Sequence, residues 1–319
     1  MKHPDILAPA NNKEEILPLI EAGANWVYGG CLPEEWSAKY PSIVPLNQRT
    51  FDSAQFSSFD DLAEAVSIAK ANGSSFALTM NAPYYMESQM EYALDLAEKA
   101  AASGVGAIIA ADPGLIMALK SRSIGVPIHM STMALATNSS AVDLYRSMGA
   151  ERIILPRFLS IAEIRDLCSL EPDIEFEAFI FIGKCPNIEG VCSFLHDSPE
   201  RRWPCEWEYF ASGSHGGSAP DEIGDYLSVL SETDRRDACG LCAIPDLLDA
   251  GVHSFKVVGR GAPIDRKTAL VKALLETISM AQKEMPLDWI AYCKDKYGSI
   301  FGHGCTPMDC YYPEVLLNK

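Results

Sequence analysis

The feature that most constrains this chain is a rhythm. Short apolar runs of strand character alternate with amphipathic helical stretches along most of its length. Asp5-Ile6-Leu7-Ala8-Pro9-Ala10 precedes a helical pattern from Asn12 that stops at Gly23. Asn25–Gly30 is the second strand; it leads into a polar, proline-bearing irregular segment before a helix from Ser58 to about Ala71. Ser75–Met80 with the helix Glu87–Ala102, and Gly106–Ala111 with a helix opening at Pro113, continue the pattern. Val126–Met130, Arg152–Pro156 and Glu175–Phe181 follow, separated by helices Ser139–Met148 and Ser160–Leu170, and Ser254–Val258 is the eighth strand. No Gly-x-Gly-x-x-Gly follows the first strand, so eight β/α units predict a closed TIM-like (β/α)8 barrel rather than an open dinucleotide-binding sheet.

One interruption breaks the rhythm. Residues 185–242, after strand seven, are rich in Gly, Ser, Pro, Cys and charge and lack a sustained period. They read as an insertion at the C-terminal end of a barrel strand, where barrels carry their active sites. The expected organisation is a barrel over residues 1–284 that includes this insertion, then a cysteine-containing tail over 285–319. With 48% apolar residues the chain can fill a large core, and it contains no apolar run long enough to span a membrane. Asp5 stands where a signal peptide would begin its apolar region, so the expected location is cytoplasmic. The formal charge of −17 disfavours polyanions. It ranks RNA below a small aromatic or anionic molecule as a partner.

In that setting ten cysteines read as metal-binding or redox groups rather than as a disulfide framework. Five of them, Cys185, Cys192, Cys205, Cys239 and Cys242, fall within 58 residues. Even scatter would put about two there. Gaps of 6, 12 and 33 residues are too irregular for a ribbon of two Cys-x-x-Cys knuckles, although Cys239-Gly240-Leu241-Cys242 is one candidate knuckle. An all-thiolate set of this spacing suits an iron–sulfur cluster, with zinc, or plain reduced thiols, as the alternatives.

Several stretches together resemble the collagenase-like peptidase family. They are Leu7-Ala8-Pro9-Ala10, Val27-Tyr28-Gly29-Gly30, Ala111-Asp112-Pro113-Gly114, His129-Met130-Ser131-Thr132, Cys185-x6-Cys192, Pro204–Tyr209 and Gly251–Arg260. The resemblance implies a barrel with a [4Fe-4S] cluster on Cys185, Cys192, Cys205 and Cys239, and an oxygen-independent hydroxylation of RNA bases or of an aromatic ring. It also allows a partner of the same family, and the family name keeps a peptidase as an alternative. The chain departs from the family pattern in three places. Arg201 stands where an additional cysteine is usual, Phe181-Ile182 replaces a His-Gly, and Val258 replaces a Glu. Cys242 is extra and competes with Cys239 for the fourth ligand position.

Four further residues are candidates for chemistry. His129 at a strand end would be a proton donor, or else a buried hydrogen-bonded histidine. Lys256 alternates with Phe255 and Val257 and so points inward, and Arg260 and Arg157 follow strands where an anionic group would sit; internal ion pairs are the alternative for all three. Asp112 is expected as a helix N-cap. Cys31 is placed near a strand end within reach of the cluster region, and Cys168 in the core. His303, Cys305 and Cys310 belong to the tail. No His-Glu-x-x-His or Gly-x-Ser-x-Gly supports proteolysis. A non-catalytic electron-transfer or partner subunit is the third reading.

Overall fold

The computed structural model describes residues 3–40, 46–48, 52–185, 188–191, 237–283 and 285–317. Within them the expected rhythm becomes nine parallel strands: β1 Asp5–Pro9, β2 Trp26–Cys31, β3 Gln55–Phe56, β4 Ser75–Met80, β5 Ala107–Ala110, β6 Ile128–Met130, β7 Ala150–Ile154, β8 Glu175–Phe181 and β9 Ser254–Val257. Their order is β1-β9-β8-β7-β6-β5-β4-β2-β3, and β1 also pairs with β2. That last pairing closes eight strands into a ring, and the two-residue β3 is an outrider on β2.

The helices lie between strands: α1 Ile16–Glu21, α2 Glu34–Lys39, α3 Phe59–Ala71, α4 Glu87–Ser103, α5 Pro113–Ser121, α6 Ser139–Ser147, α7 Ile161–Leu170, α8 Ile244–Ala250, α9 Ile264–Lys283, α10 Trp289–Phe301 and α11 Glu314–Leu317. Their starts are set by local chemistry. Ser58 accepts from the Asp61 amide, Asn138 from Ala141, and Ser160 and Glu163 cap each other reciprocally. Each such cap contributes about 1 kcal/mol. Asp112 is the N-cap expected: one carboxylate oxygen accepts from the Gly114 amide at 2.7 Å and the other from Tyr85 at 2.7 Å. The segment read as irregular holds α2 and β3, both too short to show a period.

Register assigns the two faces of the ring. Leu7 pairs with Trp26 and Lys256, Trp26 with Ser75, Tyr28 with Ala77, and Gly30 with Thr79. On the far side Ile109 pairs with His129, Arg152 with Glu175, Glu177 with Ser254, and Phe179 with Lys256. Paired residues share a face, and this row is the interior, because Lys256 lies over the Tyr28 ring and Arg152 over the Trp26 ring. The alternate row, with Val27, Leu78, Ile108, Ile153, Phe176 and Phe255, faces the helices and is fully buried. The core is therefore the annulus between barrel and helices. Small interior residues (Gly30, Ser75, Ala77, Ala107, Ser254) leave room for Trp26, Tyr28, Arg152 and Lys256, where barrels more often stack branched aliphatics.

Residues 192–236, most of the expected insertion, lie outside the described residues, but the far end of the segment comes back to the end of β8 from which the segment leaves. Phe181 and Cys239 form an antiparallel bridge, Ile182 donates to the Ala238 carbonyl at 2.9 Å, and Gly240 donates to Ile180 at 2.8 Å. The tail lies against the same edge: the Cys239 amide donates to the Asp309 carbonyl at 2.8 Å and the Tyr311 amide to Cys239 at 2.9 Å. Among the described residues no helix is long and apolar enough to cross a membrane.

Candidate active site at the barrel mouth

The barrel interior holds a ladder of charge along its axis. At the N-terminal end Arg152 donates to Asp5 at 2.6 Å and to Glu175 at 2.6 Å. Midway, Glu177 on β8 is completely buried and accepts from Lys256 Nζ at 3.0 Å, from Ser254 Oγ at 3.0 Å and from Arg152 at 3.3 Å. Burial pushes the Glu177 carboxyl up, but the Lys256 and Arg152 cations outweigh it and hold the group below the usual carboxylate range. Burial draws the Lys256 ammonium below its ordinary value, with Glu177 opposing. Glu177 escaped the sequence reading. Its signal was a second carboxylate, two residues after Glu175, on the inward row of a strand that is apolar from there on.

His129 belongs to this buried layer and not to the mouth. Its ring sits 5.3 Å from Trp26, the first residue of β2, and among the described residues its Nδ1 has no hydrogen-bond partner. Burial, then the Arg152 charge, pushes it down to about 3. At neutral pH it is therefore a neutral imidazole, which weighs for the buried-histidine reading over the proton donor. The three-residue β6 ends just after it, and inward alternation turns the ring across the barrel.

At the C-terminal end the charges meet amides. Arg260 donates to Asn47 Oδ1 at 2.8 Å and to Thr79 Oγ1 at 3.0 Å, while Asn47 and Gln55 exchange two hydrogen bonds at 2.8 and 3.0 Å. Gly30 lies beneath them, and a Cβ there would sit 2.4 Å from Asn47 and 2.6 Å from Arg260. Any larger residue there would have to push these hydrogen-bonded side-chain ends aside. Asn81 spans from Ser131 Oγ, at 3.2 Å, to the Gln48 amide, at 3.1 Å. Across the mouth Arg157 lies 4.7 Å over the Phe179 ring and is held by Glu189 and the Gly183 carbonyl. The ion-pair alternative therefore describes Lys256, with Glu177, and Arg157, with Glu189. Lys256 lies deeper than the two arginines.

The cysteines divide. Cys185 is within electrostatic reach of Arg157 at the mouth. Cys239 is buried against the end of β8, and the Leu241 amide donates to its sulfur at 3.4 Å. Burial pushes the Cys239 thiol well up. Cys242 is buried one turn further on, with its carbonyl accepting from the Trp289 indole at 3.0 Å. Cys192 and Cys205 lie outside the described residues. Cys31 faces the helix layer beside Glu35 and Asp61, and burial pushes it up to about 12. The odd position on β2 turns it away from the cluster region. Soft thiols at a buried barrel edge are the donor chemistry an iron–sulfur group takes, so Cys185 and Cys239 fit that group. Among the described residues no three His, Cys, Asp or Glu side chains already stand close enough to share one metal ion.

Sequence comparison sets this site among known proteins. The chain is 26% identical over 301 residues to tRNA hydroxylation protein P1 of Bacillus subtilis, covering 92% of this chain and 65% of that protein. It is 29% identical over 307 residues to tRNA hydroxylation protein P of Escherichia coli, covering 82% of this chain and 64% of that protein. A collagenase of Porphyromonas gingivalis is 27% identical, covering 92% of this chain and 67% of that protein. The match thus spans about two thirds of the length of these relatives. The model of peptidase family U32 covers residues 11–311, from just before the first helix to Tyr311 in the tail. The chain belongs to peptidase family U32, the collagenase-like family its motifs resemble.

Proposed function

We propose that this chain is the barrel of an iron–sulfur-dependent, oxygen-independent hydroxylase that modifies an RNA base at the C-terminal mouth. The observation that carries the reading is the return of the far end of the cysteine-bearing segment to β8, the strand the segment leaves. It sets Cys185 and Cys239 at the end of the barrel that holds Arg157 and Arg260. Cys185, Cys192, Cys205 and Cys239 would hold the cluster, with Cys242 as the alternative fourth ligand and zinc as the alternative metal. When bound, the cluster supplies one-electron redox chemistry. Hydroxylation replaces a C–H by a C–OH and needs an oxygen donor besides the base. A small anionic organic molecule held near Arg260 and Arg157 would fill that role.

The names of the relatives weigh toward RNA, against the ranking drawn from net charge. The −17 charge then requires that phosphate contacts come from a local basic surface or a partner. The test is nucleoside mass spectrometry of tRNA and rRNA from cells with and without this chain. The expected result is a nucleoside one oxygen lighter without the chain, restored by the wild type but not by Cys185→Ser. Identical nucleosides in all strains would refute it.

The Porphyromonas collagenase favours a second reading, proteolysis. It requires an ionisable nucleophile, and the Cys239 and Cys310 thiols are both pushed up by burial.

A further inference from the structure

Ile182, the residue just past β8, is held at φ +66°, in the left-handed region. A branched side chain is strained there, because its Cβ crowds the following carbonyl. Such strain persists only where the surroundings over-determine the backbone. Here they do. The Ile182 amide donates to the Ala238 carbonyl at 2.9 Å, the Ile182 carbonyl accepts from the Tyr311 phenol, and the Gly183 carbonyl accepts from Arg157 Nη1. Gly183 is itself left-handed at φ +78°, so the chain turns sharply off the strand, and Cys185 follows three residues after Ile182. Tyr311 holds the returning end as well. Its amide donates to the Cys239 carbonyl at 2.9 Å, and the Cys239 amide donates to the Asp309 carbonyl at 2.8 Å. Tyr311 is buried, so its phenol–carbonyl bond is shielded from water. One tail residue thus spans the two ends of the cysteine-bearing segment, with its side chain on Ile182 and its backbone on Cys239. The proposed hydroxylation makes no use of it.

We propose that Tyr311 is a positioning residue: its phenol locks the strained Ile182–Gly183 turn and so fixes Cys185 relative to Cys239. That these two thiols serve a cluster rests on the proposed function; the lock itself does not. Without the phenol the buried Ile182 carbonyl loses that donor, and the strain at Ile182 favours a turn that leaves the left-handed region. Glycine occupies that region freely. Ile182→Gly therefore removes the strain that the phenol opposes, and it should compensate for the loss of the phenol. A tyrosine that merely filled space would gain nothing from the deletion of a second buried side chain.

The test is Tyr311→Phe in the full chain, alone and combined with Ile182→Gly. Ile182→Asn is the second rescue, since asparagine tolerates the left-handed region and leaves less empty space. Amide hydrogen exchange at Ile182 and the rate at which iodoacetamide alkylates Cys185 are read on metal-free protein, and iron per chain after anaerobic reconstitution. Tyr311→Phe should speed both rates by about tenfold, the size of one buried hydrogen bond, and lose most of the iron the wild type takes up. Either rescue should return both rates to within about threefold of the wild type and restore the iron. Unchanged rates in Tyr311→Phe would overturn the lock, and so would combined variants that both exchange faster than Tyr311→Phe alone. Fast alkylation with wild-type iron would overturn the positioning role. A wild type that takes up no iron would sink the cluster and that role with it, while the two rates still decide the lock.

Discussion

Replacing Glu177 by Gln removes the one buried anion that, among the described residues, answers Lys256. The geometry sets the magnitude. Glu177 is fully buried, its oxygens are 3.0 Å from Lys256 Nζ and 3.3 Å from Arg152, and the amide keeps the shape while losing the charge. Arg152 retains Asp5 and Glu175, each at 2.6 Å, so its loss is small. Lys256 is left over the Tyr28 ring at 4.2 Å. At an effective dielectric constant of about 20, a pair at this separation interacts by roughly 5 kcal/mol. Breaking one partner of a buried pair typically costs about 3–5 kcal/mol. Urea unfolding followed by circular dichroism should therefore show the midpoint falling at constant slope, by an amount equivalent to about 3–5 kcal/mol. Adding Lys256→Met should recover a large part of the loss, since no unpaired ammonium then remains. A cost below about 1 kcal/mol, the range of solvated surface pairs, would refute a dry charge ladder inside the barrel.

Further outcomes follow from other groups. His129 is held down to about 3 by burial and Arg152, well below its unfolded value of about 6.5, so the unfolded chain binds a proton the folded one refuses. Stability should be complete above about pH 6.5 and fall by roughly 1.4 kcal/mol per unit below it, toward the folded value. In the variant His129→Phe, pH-dependent denaturation should lose that component, and an unchanged slope would contradict it. Gly30→Ala drives a methyl into Asn47, Arg260 and Gln55 and should cost about 1–3 kcal/mol, read as a urea midpoint shift. Asp112→Ala removes the α5 cap and the Tyr85 tether together and should cost about 1–2 kcal/mol, with hydrogen exchange rising first at Gly114 and Tyr85.

The barrel was legible because its signals are local. Eight strand periods, the helix starts at Ser58 and Ser160, the Asp112 cap and the inward placement of Lys256 all follow from residues near one another in sequence. The strand at Arg152–Pro156 was displaced, observed as Ala150–Ile154, because an apolar run does not mark where pairing begins. What stayed hidden is long-range. Nothing near Lys256 names Glu177 as its partner, 79 residues away, and nothing near Cys239 names Cys310. The ring that turns His129 toward Trp26 is a consequence of barrel closure, and its three-residue strand carries no period of its own. Net charge is a poor guide to the proposed RNA substrate, because it sums a whole surface, while nucleic-acid binding depends on where a few cations lie.

The proposed function rests on a cluster that Cys185, Cys192, Cys205 and Cys239 would hold. Iron and acid-labile sulfide analysis of the anaerobically purified chain tests it most directly. The account predicts about four of each per chain in the wild type and in Cys168→Ser, and loss of most of both in Cys185→Ser. Wild-type protein that folds and carries neither iron nor sulfide would contradict it.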